Sequence, residues 1–468
     1  MSWHLALTVD RRARTPMVIQ INNALRRLIE NGTLQPGSRL PSSRQLATDL
    51  AISRSVVVEA YEQLAAEGYL VTRRGSGTWV GDNARSVSVG SVLVPDSAAH
   101  LAGVRWDLRT AFSDLQAFPR QAWLRSVTAV LAQAGTAELG YGPPSGVPLT
   151  RAVLAAYLGR VRSVRSRPEN LMVTSGFAQG LSLLCKVLRD QGHEALAVED
   201  PGHPGEWEFI AGSGLQPVAI PVDENGLRVD LLRASGARAV LTTPSHQFPT
   251  GVRLSAERRE SLVAWAREVG GYIVEDDFDN AYLEPADRVA ALQSLAPDRV
   301  IYAGSVSKVL APALRLGWLV APAELMASIE YARAGWDIGC SGIEQLTLTH
   351  FIATGEYDRH QRRLRTEFRR RREVIRRLVP HRLPGARIIS RDHGLQTYLL
   401  LPPRVSEEAL VRAARSRSIL LHGGTHFALA PNIPRPPAIV LGHAGVNEED
   451  LDQVLAELGQ ICQQLTDS

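Results

Sequence analysis

Lysine is nearly missing from this chain. It occurs only at Lys186 and Lys308, against 50 arginines in 468 residues. The plain reading of that ratio is a GC-rich coding sequence, but it also subtracts: chemistry that needs a lysine amine must use one of these two. Cysteine is scarce as well, with Cys185, Cys340 and Cys462 far apart and no CxxC pair. That argues against a disulfide framework or a zinc site and fits a reducing compartment. No run of about 18 apolar residues occurs, which argues against a membrane-spanning helix. The opening residues, MSWHLALTVDRRART, hold no apolar stretch of the secretion-signal kind. The expectation is a cytoplasmic chain with no metal and no membrane partner. With 45% hydrophobic and 21% charged residues the composition is that of an ordinary globular protein. The length leaves room for two to four domains.

The formal charge is +4, and it is unevenly placed. Residues 1–80 hold 10 Arg and 6 acids; residues 81–468 hold 40 Arg and 2 Lys against 42 acids. The whole excess lies in the first 80 residues. A small basic segment ahead of a large neutral one suggests an anionic partner for the former.

Residues 16–31, PMVIQINNALRRLIEN, place Val18, Ile21, Leu25, Leu28 and Ile29 at helical spacing behind Pro16. LPSSRQLATDL follows, with Ser42 or Ser43 as N-cap and Leu46, Ala47 and Leu50 on one face. Ser53 caps a third helix, RSVVVEAYEQLAAEG, with Val57, Ala60, Tyr61 and Leu64 inward and Gly68 as its stop. YLVTRRGSGTWV then reads as strand, basic glycine turn, strand. The order is helix, helix–turn–helix, wing. A recognition helix offers its first residues to base edges in the major groove. Here these are Ser53, Arg54 and Ser55. Arginine pairs bidentately with guanine, and serine accepts several bases. Arg44, Arg73 and Arg74 would reach phosphates, while Gly75 and Gly77 let the wing backbone approach the duplex. A protein-docking winged helix with a solvated arginine face is the plainer alternative, but three separate basic points fall where a duplex would touch. The stretch from Gly32 to Val80 resembles the GntR-type winged helix over nearly its whole length. The resemblance implies a DNA-binding domain at residues 1–80 and a double-stranded DNA operator as partner.

Residues 81–105 are small and polar without a clear period, and read as a linker. From Trp106 the chain alternates. LMVTSG (171–176), ALAVEDPG (195–202), PVAIPV (217–222), AVLTTPS (239–245), YIVEDDF (272–278), VIYAGS (300–305) and LGWLVAP (316–322) are short buried strands with helical stretches between them. That predicts an α/β domain with a mostly parallel central sheet covered on both faces, over residues 106–364. Residues 365–468 change rhythm and predict a smaller C-terminal α+β subdomain.

The two lysines differ in setting. Lys186 sits mid-helix in LSLLCKVLRD and reads as a surface cation with a buried stem. Lys308 sits in YAGSVSKVLAPALRLGW, behind Ser305 and Ser307 and seven residues ahead of Arg315. An amine for a Schiff base, with hydroxyls and an arginine for a phosphate, is what a phosphorylated aldehyde cofactor requires. Pyridoxal phosphate also needs a carboxylate at its ring nitrogen. VEDDF offers Asp276 or Asp277 at the carboxyl end of a strand, where open α/β sheets bind ligands. Ser175-Gly176-Phe177-Ala178 opens a helix suited to a phosphate, and His203 follows a strand where a ring could stack. PSHQFPTG (244–251) is a sharp loop that could pass nearby. Each feature alone has an ordinary reading as a turn, a cap or an ion pair; their joint occurrence in this order does not.

Residues 106–465 resemble fold-type I aminotransferases, and the combination with the winged helix resembles the MocR/GabR family of transcription regulators. The resemblance implies that Lys308 carries pyridoxal phosphate as an internal aldimine and that Asp276 pairs with the pyridinium. It implies phosphate binding by Arg315, Ser305, Ser307, Gly176 and Phe177. Tyr141, in LGYGPPSG, would come from the partner subunit of a homodimer. Three positions depart from the family pattern. Phe278 stands where a tyrosine is usual, and His203 at the stacking position can also titrate. In PAIVLGHAGV (437–446), Val440 replaces the arginine that grips a substrate carboxylate, a role that an isopropyl group cannot fill. The expected function is therefore a pyridoxal phosphate-dependent DNA-binding regulator. It would sense a small amine effector or vitamin B6 itself, like the branch that controls pyridoxine biosynthesis. An active aminotransferase carrying a DNA-binding module is the alternative. Residues 359–377, with ten Arg in nineteen, read as a solvated helix, with a second phosphate contact as the other reading.

Overall fold

The computed structural model describes residues 7, 9–10, 15–30, 32–73, 77–81, 103–110, 113–284, 288–389 and 394–467. The chain divides into two compact units, Met1–Ala102 and Gly103–Ser468. Most of the expected linker, residues 82–102, lies outside the described residues, as do Arg74 and Gly75.

In the first unit, helix Met17–Glu30 buries Ile21, Leu25 and Ile29, and helix Arg54–Ala66 buries Val57, Ala60, Tyr61 and Leu64. Helix Ser43–Asp49 contributes Leu46 and Ala47 to the same core. Its N-cap is Ser42, whose hydroxyl accepts from the Gln45 amide at 3.1 Å. Ala51 turns the chain at φ +54, between the two helices of the helix–turn–helix. Strands Leu70–Arg73 and Gly77–Val80 pair antiparallel as the wing.

The second unit is built on an eight-stranded sheet. Its strand order is Leu171–Thr174, Gly317–Val320, Val300–Ser305, Tyr272–Asp276, Ala239–Thr242, Ala195–Asp200, Gln216–Asp223, Gly226–Leu227. The central strands from 300–305 to 216–223 are mutually parallel. Gly317–Val320 runs against both its neighbours, so the sheet is mixed at that edge. Strands such as Ala239–Thr242 and Tyr272–Asp276 are buried along their whole length, which explains their unbroken apolar runs.

A four-stranded antiparallel sheet, Arg387–Ile388, Gln396–Leu400, Ala438–Gly442 and His422–Gly423, forms the C-terminal layer. Two sequence boundaries look different in three dimensions. The expected division at 364/365 falls inside an unbroken helix, Glu356–Arg382. Strand Trp106–Asp107 pairs in parallel with Ile419–Leu420, so Trp106 and Leu108 pack into the C-terminal core beside Leu399, Ile439 and Leu455.

Candidate functional site

Because the central strands are parallel, their carboxyl ends emerge along one edge. Five loops start there, after Thr174, Asp200, Thr242, Asp276 and Ser305. They enclose a cavity of about 170 Å³ lined by residues including Phe177, His203, Glu206, Asp276, Phe278, Ser305, Ser307, Lys308 and Arg315. Lys186 is elsewhere, exposed and paired with Asp190 at 2.8 Å.

Strand alternation separates the two candidate aspartates. Asp276 faces the cavity, whereas Asp277 points the other way into a buried network. There Arg162 binds Asp277 at 2.8 and 3.0 Å, and the Tyr302 hydroxyl donates to Asp277 at 2.5 Å. Burial, then the nearby Asp277 charge, raises the Asp276 carboxyl well above its ordinary range, and Lys308 opposes that rise. Burial also lowers the Lys308 amine, against the pull of Asp276 and Glu206. A buried amine that gives up its proton more readily is a better nucleophile towards an aldehyde.

A group of residues suited to an anion lies at the start of helix Phe177–Asp190. Gly176 has φ +86, and a β-carbon there would stand 3.1–3.2 Å from the Arg315 guanidinium. Arg315, itself at φ +48, donates to the Ser175 carbonyl at 2.5 Å. Gly317 is confined in a different way, since its β-carbon would approach the Gly176 backbone at 3.0 Å. A guanidinium, a helix N-terminus and the hydroxyls of Ser305 and Ser307 thus converge where backbone alone fits.

His203 caps helix Pro204–Gly212, its Nδ1 accepting from the Gly205 amide at 3.1 Å. Burial, with Lys308 and His426 adding to it, pushes it down to about 4. Its titration thus falls in the acid range, and near neutral pH it is an uncharged ring, 5.2 Å from that of Phe248. Phe278 packs edge-on to Phe248 at 5.9 Å. Val440 is fully buried in an apolar cluster with Phe248, Tyr398, Phe427 and Ala438. The arginine nearest to it in sequence, Arg435, is held by Asp200 at 2.6 Å. Tyr141 does not line this cavity; it is 94% exposed on its own chain.

Glu206 was not singled out from sequence. A carboxylate in a helix first turn ordinarily serves the helix dipole. Here it lines the cavity, and burial, then Asp276 and Glu199, raise it well above the usual carboxyl range. Beneath it, Glu199 accepts from the Thr242 and Thr243 hydroxyls at 2.6 Å each, fixing the start of the PSHQFPTG loop.

On the first unit Arg44, Ser53, Arg54, Ser55, Arg73 and Gly77 are all exposed. Ser53 stands at the N-cap but makes no side-chain cap bond; its hydroxyl meets that of Ser55 at 2.9 Å. Arg54 Nε donates to Ser43 Oγ at 3.3 Å, which ties the start of the third helix to that of the second. Arg39 is a residue that sequence reading missed. Its guanidinium and that of Arg73 lie 5.8 and 5.5 Å from the Trp79 ring, giving the wing two aromatic-backed cations. The opposition of Arg39 to Trp79 across an antiparallel bridge is a tertiary fact with no local signature.

Comparison with known proteins bears on both units. The family model "Bacterial regulatory proteins, gntR family" matches residues 18–80, and "Aminotransferase class I and II" matches residues 112–458. The HTH-type pyridoxine biosynthesis transcriptional regulator PdxR of Corynebacterium glutamicum is 32% identical over 457 residues, covering 97% of this chain and 98% of that protein. The probable rhizopine catabolism regulatory protein MocR of Rhizobium meliloti is 31% identical over 474 residues, covering 97% and 95%. Among solved structures, α-aminoadipate aminotransferase LysN of Thermus thermophilus, complexed with N-(5'-phosphopyridoxyl)-L-leucine, superposes with a TM-score of 0.69. It is 25% identical and covers 79% of this chain and 95% of that one. An archaeal alanine:glyoxylate aminotransferase gives a TM-score of 0.72 at 24% identity, covering 79% and 93%, and speaks to the fold alone.

Proposed function

The chain belongs to the MocR-type transcription regulators, a gntR-family DNA-binding domain joined to an aminotransferase class I and II domain, and from that premise we propose that it senses vitamin B6 as pyridoxal phosphate. One observation carries the reading: a lone lysine, a buried carboxyl and a guanidinium cradle share one cavity, while the carboxylate-clamp position is packed with apolar side chains. When bound, pyridoxal phosphate supplies an electrophilic aldehyde. Lys308 would hold that aldehyde and Asp276 the ring nitrogen. Arg315, Ser305, Ser307 and the backbone at Gly176 and Phe177 would hold the phosphate. His203 and Phe278 offer uncharged faces to the ring, and Tyr141 would be the contribution of a second subunit.

Val440 sets the direction of this reading. A conventional amino-acid donor brings a carboxylate that needs a cationic clamp, and the Val440 neighbourhood is aromatic and aliphatic. Ligand occupancy, rather than turnover, then biases the protein between DNA-binding states. The DNA contacts fall to Ser53, Arg54 and Ser55 at the groove, with Arg44, Arg73, Gly77 and the undescribed Arg74 and Gly75 at the backbone.

The test is an absorbance titration with pyridoxal phosphate, followed by footprinting on the promoter nearest the protein's own gene. A visible-edge band lost in Lys308→Ala, together with a footprint that changes on adding pyridoxal phosphate, supports the reading. No band, or a footprint indifferent to both, overturns it. Arg54→Ala should weaken specific binding by about 10- to 100-fold, the worth of one bidentate base contact. Steady keto-acid production from an amino donor would favour the aminotransferase alternative.

A further inference from the structure

The fold divides the arginines of residues 359–377 into two sets. Arg371 and Arg372 are buried and Arg365 is half-buried. Arg371 donates to the His443 and Ala444 carbonyls and to Asp114; Arg372 donates to the Gly394 carbonyl, and Arg365 to that of Ala281. These three fasten the helix to the body, and Arg363, though exposed, adds a bond to the Ala117 carbonyl at 2.9 Å. The other seven, Arg359, Arg362, Arg363, Arg369, Arg370, Arg376 and Arg377, are exposed. At 100° and 1.5 Å per residue they fall within an arc of roughly 140° along about 27 Å of helix.

The acids of the same helix do little to neutralise that stripe. Asp358 pairs with Arg160 at 3.1 Å, and Glu367 with the buried Arg371 at 3.3 Å. Glu356 is shared between Arg359 at 2.6 Å and Arg125 at 3.5 Å. Outside the helix, Glu284 lies 3.8 Å from Arg369. Glu373 falls inside the arc and Asp358 at its edge. At the N-terminal end the stripe continues into a groove of about 640 Å³ whose lining includes Arg120, Arg125, Arg359 and Arg363. Residues 81–468 carry as many acids as bases, so this is segregation of charge and not general basicity.

We propose that this stripe is a second duplex-DNA surface, binding phosphates of DNA that flanks the segment held by the winged helix. Guanidinium groups are suited to bidentate phosphate contacts, and the helix presents them in clusters one to two turns apart on a rigid, well-packed support. Contacts of this kind add affinity without reading sequence. The proposal rests on DNA binding by the first unit.

The test compares the full-length protein with a variant carrying Arg→Gln at positions 362, 363, 369, 370, 376 and 377. Two duplexes are used: an operator of about 20 base pairs, enough for two half-sites, and the same operator extended by about 20 base pairs on each side. The wild type should bind the long duplex more tightly, and the variant should lose that gain. The variant's salt slope on the long duplex should fall by about 0.9 for each phosphate that is no longer neutralised, a total of roughly 3 to 5. Its binding to the short duplex should stay within twofold. Equal wild-type affinity for both duplexes overturns the proposal and leaves winged-helix binding intact. A gain on the long duplex that survives in the variant also overturns it. Wild type that binds neither duplex overturns the DNA-binding reading itself and this proposal with it. A variant that sediments as a smaller species identifies the stripe as a subunit contact, which likewise overturns it. An unchanged melting temperature and an unchanged pyridoxal phosphate band certify the variant's fold.

Discussion

Lys308 shares a cavity with two carboxyls, and the three groups set one another's charge. Burial and then the neighbouring Asp277 raise the Asp276 carboxyl, and a pyridinium beside it would pull the other way. Asp276→Asn should therefore weaken pyridoxal phosphate binding by about tenfold or more, the worth of a charged hydrogen bond, as measured by absorbance titration. Glu206→Gln should cost less, because Glu206 lies in the helix first turn beside this pair and not at the strand end. Histidines supply a separate pH response. His203, His360 and His422 are each pushed from 6.5 to about 4, in every case chiefly by burial. The unfolded chain then binds more protons than the folded one between those values, so stability is lost as pH falls from about 6.5 to about 4. His203→Phe keeps an aromatic ring without the proton site. Its melting temperature should fall less steeply over that window than that of the wild type; an identical profile would remove His203 from the account. Lys308 stood out in the sequence through the scarcity of lysine together with its setting behind Ser305 and Ser307 and ahead of Arg315. Glu206 did not, because its helix-start position has an ordinary explanation.

The anion cradle is a property of elements packed together rather than of any one residue. Helix Phe177–Asp190 begins where strand Gly317–Val320 and the Arg315 turn pass against it, and Gly176 meets that crossing at φ +86, with room for a β-carbon only if the Arg315 guanidinium shifts. Gly176→Ala should cost about 1–3 kcal/mol for a backbone conformation reserved to glycine. It should also displace Arg315 and weaken pyridoxal phosphate binding more than it lowers the melting temperature; thermal unfolding and titration on the same sample separate the two effects. The seven strands and the helix–turn–helix could be assigned from period and turn residues, because those signals are local. The boundary at 364/365 could not. Helix Glu356–Arg382 has no glycine or proline at that point, and it joins both layers because its two halves pack on different cores. The same helix shows why an arginine count is ambiguous: three of the ten are wholly or partly buried and secure it to the body, and seven are exposed, of which Arg363 also donates to the Ala117 carbonyl.

At the scale of the whole molecule, two compact units each have a core of their own, one around Leu25, Leu46 and Leu64, the other spread over the two sheets. Calorimetry should resolve more than one unfolding transition. Pyridoxal phosphate at about 100 times its Kd should stabilise the unit that binds it by about 2.7 kcal/mol. That shift should appear in the transition of residues 103–468, and a shift confined to the smaller unit would contradict placement of the ligand on Lys308. The sequence by itself determined the two-part organisation, the helix–turn–helix with its wing and the α/β character of the larger part, and it singled out Lys308 as the candidate amine. These rest on local periodicity, turn chemistry and composition, which act within a few residues. Only the tertiary structure showed that Asp277 is taken up by Arg162 while Asp276 lines the cavity with Lys308, that burial lowers His203, that Arg39 joins Arg73 on Trp79, and which arginines are exposed. Each depends on burial and on neighbours remote in sequence, and the free energy of a charge follows its surroundings, which residue order does not spell out.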